Sequence, residues 1–80
     1  MTLGPVQIYV NGEGKEVPQD LTLAQLVEDL ALPVERVAIE LNRSVVRRID
    51  WEKTKLSQND RIEIVHFVGG GQWKFKTFRG

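Results

Sequence analysis

The chain contains no cysteine. That excludes disulfides, thiolate nucleophiles and cysteine-ligated metal sites, and it is compatible with a cytoplasmic location. There is a single histidine, His66. Without a cysteine or a second histidine beside it, no metal site is expected. Nor can a Ser-His-Asp set be built around it, because Ser44 and Ser57 fall in turn and loop segments. No apolar run approaches the ~18 residues of a membrane span. Met1 to Tyr9 lacks a basic stretch followed by an apolar one, so no secretory signal is visible. No catalytic constellation is left, and the chain is expected to have no catalytic residues of its own.

Eighty residues, 41% hydrophobic and 28% charged, suit one small globular domain with a modest core. The formal net charge of zero is unevenly spread. Lys74, Lys76 and Arg79 place three positive charges near the end, so residues 1–71 carry eight basic and eleven acidic groups, a net of −3. An acidic body argues against nucleic acid as its partner and suits a partner with a basic docking surface.

Val6, Ile8 and Val10 alternate with Gln7 and Tyr9, the period of a half-buried strand. Asn11-Gly12-Glu13-Gly14 predicts a hairpin turn, since Asn and Gly tolerate positive φ. Gly12 and Gly14 are read as turn geometry only. Lys15 to Val17 is the expected return strand, ending at Pro18. Thr22 and Gln25 have the spacing of a capping box, and Leu21 and Leu26 that of a hydrophobic staple. Leu23, Leu26, Val27 and Leu30 form one apolar stripe. Pro33 disfavours helical geometry at Leu32, so the helix is expected to stop near Ala31. Val37, Ile39 and Leu41 predict the next strand, and Asn42-Arg43 a turn. A short strand is expected around Val45–Arg48. Asp50, Trp51 and Glu52 are read as loop packing and surface charge. Ser57 to Asp60 is a turn cluster, and Arg61 to Phe67 is the last clear strand of the body.

One amphipathic helix has one stripe to bury, and one face of a mixed sheet can receive it. The expected class is α+β: a β-grasp, ubiquitin-like roll with a mixed sheet of four to five strands and one main helix packed on one face. Residues 1–68 form the domain, 69–71 a glycine-rich active tail, and 72–80 a C-terminal extension. With Ile62 and Ile64 facing the helix, Val65 and Phe67 point to the uncovered face. Together with Val68 they are candidates for partner docking. His66 is read as a strand residue with one face wet.

The stretches "IYVNGE" and "DRIEIVHFVGGG" resemble the thiamine-biosynthesis sulfur carrier family, ThiS, over residues 6–71. The second motif is the specific one, because it joins a final strand to a diglycine end. The resemblance implies a β-grasp carrier whose C-terminal glycine carboxylate is the working group. A ThiF-like adenylating enzyme would activate it with ATP, a sulfur donor system would convert it to a thiocarboxylate, and thiazole synthase would take the sulfur. No cofactor is bound permanently; the covalent sulfur is the cargo. Gly69, Gly70 and Gly71 would form a thin tail able to enter a narrow tunnel, because glycine lacks Cβ. The VGGG pattern favours Gly71 over Gly70 as the working end. A phosphate-binding loop is not indicated, since no Lys-Ser or Lys-Thr follows the glycines and no helix begins there.

The chain departs from the family by continuing past Gly71. A Gly71 carbonyl held in a peptide bond has no free carboxylate, so residues 72–80 must be removed or absent for activity. Three origins fit the extension: a cleaved pro-segment as in ubiquitin precursors, which is favoured; a truncated fusion, since "WKFKTFRG" resembles the opening strand of thiazole synthases; or a segment added for expression. Gly80 as the active end fits poorly, because Arg79-Gly80 lacks the diglycine. Trp73 and Phe75 alternate with Lys74 and Lys76 in a strand-like pattern able to pair with a sheet edge. Two alternatives compete with the thiamine carrier. One is a molybdopterin synthase small-subunit-like sulfur carrier. The other is a non-catalytic β-grasp module that binds nucleotides or RNA through the basic aromatic tail.

Overall fold

The computed structural model describes residues 4–68 and 72–75, with Phe67, Val68 and residues 72–75 described through their backbone only. The chain opens with a hairpin, β1 (Val6–Val10) and β2 (Glu13–Val17). Its turn is shorter than the four residues expected. Asn11 (φ 49°) and Gly12 (φ 87°) alone reverse the chain, the two-residue loop whose twist matches paired strands. Glu13 and Gly14 therefore belong to β2, and Gly14 is a strand residue opposite Tyr9. A Cβ there would meet the Gln7 amide nitrogen at 2.7 Å and the Tyr9 ring at 3.8 Å, so the open position lets these side chains lie across the strand.

Helix α1 (Leu23–Asp29) begins at the expected capping box. The Gln25 backbone N–H donates to Thr22 Oγ1 at 3.2 Å, and the Thr22 N–H donates to Gln25 Oε1 at 2.9 Å. Two orphan donors at the helix start are thus satisfied. The helix ends at Leu30, and Ala31 takes the left-handed conformation (φ 56°) ahead of Pro33. A 3-10 turn over Val34–Arg36 leads into β3 (Val37–Leu41). A second two-residue turn, Asn42 (φ 51°) and Arg43 (φ 74°), returns the chain as β4 (Ser44–Val46), a residue or two earlier than expected. Residues Arg48–Lys53 form a 3-10 helix that sequence reading left as loop. Its Trp51 is buried and donates its indole N–H to the Val46 carbonyl at 3.0 Å. After the Ser57–Asp60 turn comes β5 (Arg61–Val68), and then β6 (Gln72–Phe75).

The sheet runs β2-β1-β5-β3-β4, with β6 also paired to β5. Among the described residues, β1 and β5 run parallel and the other pairs antiparallel. Five strands and one helix across one face give the β-grasp arrangement, and β6 adds a sixth strand to the expected four or five. Alternation places Val6, Ile8, Val10, Val37, Ile39, Ile62 and Ile64 on the helix face, where they pack with Leu23, Leu26, Val27, Trp51 and Leu56. No polar residue is buried among the described residues. Each fully buried Leu or Ile in this layer contributes about 1.5–3 kcal/mol relative to exposure.

Candidate functional site

Strand β5 is the axis on which the expected site is built, and two hairpin asparagines grip it. Asn42, at the β3–β4 turn, accepts the Arg61 N–H through Oδ1 at 2.9 Å. Asn11, at the β1–β2 turn, accepts the Ile64 N–H at 2.7 Å and donates Nδ2 to the Ile64 carbonyl at 3.3 Å. A side-chain amide presents an N–H donor beside a carbonyl acceptor, as the edge of a peptide strand does. Asn11 therefore continues the ladder where β1 stops. β1 covers β5 only at Arg61 and Ile62, Asn11 covers Ile64, and β6 covers Val65 to Val68. Three different partners cover one edge in succession.

The last pairs on this edge are Val65 with Phe75, His66 with Lys74, Phe67 with Trp73, and Val68 with Gln72. The tail's strand-like alternation is thus realised within the same chain, and residues 72–75 of the extension are part of the sheet. Val68 and its register partner Gln72 bracket the three glycines. Gly69, Gly70 and Gly71 lie outside the described residues, as do residues 76–80. For Phe67 and Val68, which were expected to contribute to docking, the structure gives the backbone position in β5 alone.

Val65 lies on the sheet face opposite the helix, as expected, and is half-buried rather than open. Its neighbours by register are Ala38 on β3 and Phe75 on β6. On the same face, Val45 of the edge strand β4 is 71% exposed. Glu40 and Glu63 stand directly opposite each other there, a like-charge pair that disfavours the isolated sheet. Tyr9 and Arg61 also pair there, with the guanidinium 5.5 Å from the ring centroid. Val45 and the Glu40–Glu63 pair were missed by sequence reading. Pairing between strands is not a local property, and only alternation within each segment could have hinted at their face.

His66 is a half-buried strand residue, in keeping with its expectation. It shares the helix face with Ile62 and Ile64, and both ring nitrogens are closed off from solvent with no hydrogen-bond partner among the described residues. Among the described residues no group of three potential ligands gathers to hold a metal ion. No helix of the described residues is long and apolar enough to cross a membrane. A hollow of about 680 Å³ lies on the helix side between α1 and the 3-10 helix, lined in part by Ala24, Val27, Ile49 and Trp51. Among the described residues, none expected to act in the site lines it.

The sequence pattern of the ThiS family matches residues 6–71. The thiazole synthase of Magnetococcus marinus is 40% identical over 67 residues, which is 84% of this chain and 21% of that protein. The thiazole synthase of Paramagnetospirillum magneticum is 27% identical over 73 residues, 91% of this chain and 22% of its own. The chain thus spans about a fifth of the length of these two relatives. The sulfur carrier protein ThiS of Bacillus subtilis is 32% identical over 65 residues, 80% of this chain and 98% of that one. The crystal structure of the thiamine biosynthesis protein ThiS from Geobacter metallireducens superimposes with a TM-score of 0.72 at 30% identity, covering 82% of this chain and all of that one. Motif, topology and these matches agree over the same body, and the chain belongs to the ThiS family.

Proposed function

We propose that this chain is a sulfur carrier of thiamine biosynthesis whose working end is Gly71. The observation that carries the reading is the place of the glycines: directly after β5, the strand held from both sides by Asn11 and Asn42, and at the last residue of the family match. A rigid strand ending in residues without Cβ is a probe able to enter a partner's active site.

The chemistry belongs to the end of the main chain. A carboxylate is a poor electrophile. A ThiF-like enzyme would let a Gly71 carboxylate oxygen attack the α-phosphorus of ATP, expelling pyrophosphate and leaving an acyl-adenylate. A sulfide-level donor then attacks the acyl carbon, AMP departs, and a thiocarboxylate remains. Thiazole synthase is the acceptor that the two fused-length relatives suggest. The carrier is the co-substrate of these steps rather than their catalyst. Val65, with Phe67 and Val68 after it, belongs to the docking surface that presents the tail.

None of this proceeds while Gly71 is bonded to Gln72. Cleavage after Gly71 would supply the free carboxylate. The match to a fifth of two thiazole synthases favours a second origin for the extension, in which residues 72–80 begin a synthase segment joined to the carrier.

Intact mass of the chain co-expressed with its activating enzyme and sulfur source tests the proposal. Loss of residues 72–80 together with exchange of one oxygen for sulfur is the expected result. If the full chain stays unmodified, the same measurement is made on a chain ending at Gly71. Absence of sulfur on that form as well overturns the carrier reading.

A further inference from the structure

Residues 65–68 of β5 have a neighbour on one side only because the extension supplies it. β1 ends at Val10, and Asn11 reaches no further than Ile64. The family match ends at Gly71, before β6 begins. In a domain ending there, the β1-side edge of β5 from Val65 to Val68 carries no strand of this chain. The direction of its backbone groups is fixed. The Ile64 N–H and C=O both face Asn11, so by the period of two those of His66 and Val68 face the same edge. An edge with unmet donors and acceptors is a template for another strand.

We propose that the Val65–Val68 edge of β5 is a strand-accepting docking site for an extended partner segment that alternates aromatic and basic residues, and that residues 72–75 occupy it in the full chain. The occupant's chemistry comes from what fills the edge here, Trp73-Lys74-Phe75. It also comes from charge: residues 1–71 have a net of −3, whereas the extension is wholly basic in its charges. Main-chain pairing of this kind gives affinity, and the alternating side chains give specificity. The location has a purpose in the carrier reading, on which the identity of the partner rests. Gly71 is three residues past Val68, a reach of about 10 Å at most. A strand clamped on residues 65–68 therefore aims the tail. Hydrolysis of the Gly71–Gln72 peptide bond leaves a carboxylate on Gly71 and an amine on Gln72, and departure of the released segment then opens the docking edge.

The test compares the full chain with a chain ending at Gly71. The latter is expected to fold, since every core residue buried among the described ones lies between Val6 and Ile64 and the Geobacter protein aligns over its whole length to 82% of this chain. Amide exchange at His66 and Val68, followed by NMR, should be about tenfold faster or more in the shortened chain, with Ile8 unchanged. A synthetic peptide of residues 72–80 is then added at about 1 mM, comparable to the effective concentration of a short tether. It should slow exchange at His66 and shift the resonances of residues 65–68. The same peptide with K74E and K76E should bind several-fold more weakly, and the full chain should bind neither. The full-length K74P variant, which lacks one N–H of the β6 ladder, should behave like the shortened chain. Unchanged exchange at His66 in both altered chains overturns the site, as does a peptide that leaves residues 65–68 unshifted. Equal binding of the two peptides overturns the basic occupant. Protection of His66 that grows with dimer concentration in the full chain assigns the edge to a second copy instead. These readouts need no sulfur chemistry, so they stand or fall separately from the mass measurement.

Discussion

The two halves of β5 are built differently. From Arg61 to Ile64 the strand lies between β3 on one side and β1 with Asn11 on the other, and its Ile62 and Ile64 side chains are almost wholly buried. From Val65 to Val68 the β1 side is filled by four residues of the extension, and β3 reaches only as far as His66. The first half holds the fold together. In the second half Val65 and His66 are only half-buried, and the strand runs on in sequence to the glycines. On the proposed carrier reading, an end placed next to a strand that is held at its base and replaceable at its edge could be handled without loosening the body.

The contrast is broken most severely in the core. Ile64→Ala should lower unfolding free energy by about 2–5 kcal/mol. Val65→Ala, one residue on and facing the other way, should cost clearly less. Chemical denaturation of the two variants under the same conditions measures the difference. Equal losses would erase the distinction between the halves.

Asn11→Ala probes the boundary between them. It leaves the Ile64 N–H and C=O without the amide that meets them and puts an alanine at φ 49°, where asparagine is better tolerated. A cost of about 1–3 kcal/mol is expected, with faster amide exchange at Ile64 as the local signature. A normal Ile64 exchange rate in this variant would remove Asn11 from its bridging role.

The smallest effect belongs to the open face. Glu40→Gln relieves the carboxylate facing Glu63 and should raise stability by about 0.2–1 kcal/mol, most clearly at low salt. A drop in stability would mean that the pair is already balanced by a neighbouring cation.

Much of the body could be read from the chain alone, because its determinants are local. The Thr22–Gln25 box, the stripe through Leu23, Leu26 and Val27, and the alternations around Ile8, Ile39 and Ile64 each repeat within a few residues. The 3-10 helix over Arg48–Lys53 escaped because its one buried residue, Trp51, sets no period. The grip of Asn11 on Ile64 escaped because 53 residues separate them. Asn11 was legible as a turn former, but its second task depends on which strand lies beside the turn. The extension shows the same division. Its alternation announced a strand, while its partner on β5 could be learned only from the fold. The expected working residues, Gly69 to Gly71, were named from motif resemblance, and their own placement lies outside the described residues.

The amide of Asn11 also bears on how genes of this kind can be joined and parted. Because one side chain finishes the ladder at Ile64, the inherited body is complete before the glycines are reached. Among the described residues, the segment attached here meets β5 through the four pairings from Val65 to Val68. This chain matches both the short carrier of Bacillus subtilis and about a fifth of the long polypeptide of Magnetococcus marinus. In this chain the asparagine marks a seam between the pairings of the body and those of the extension.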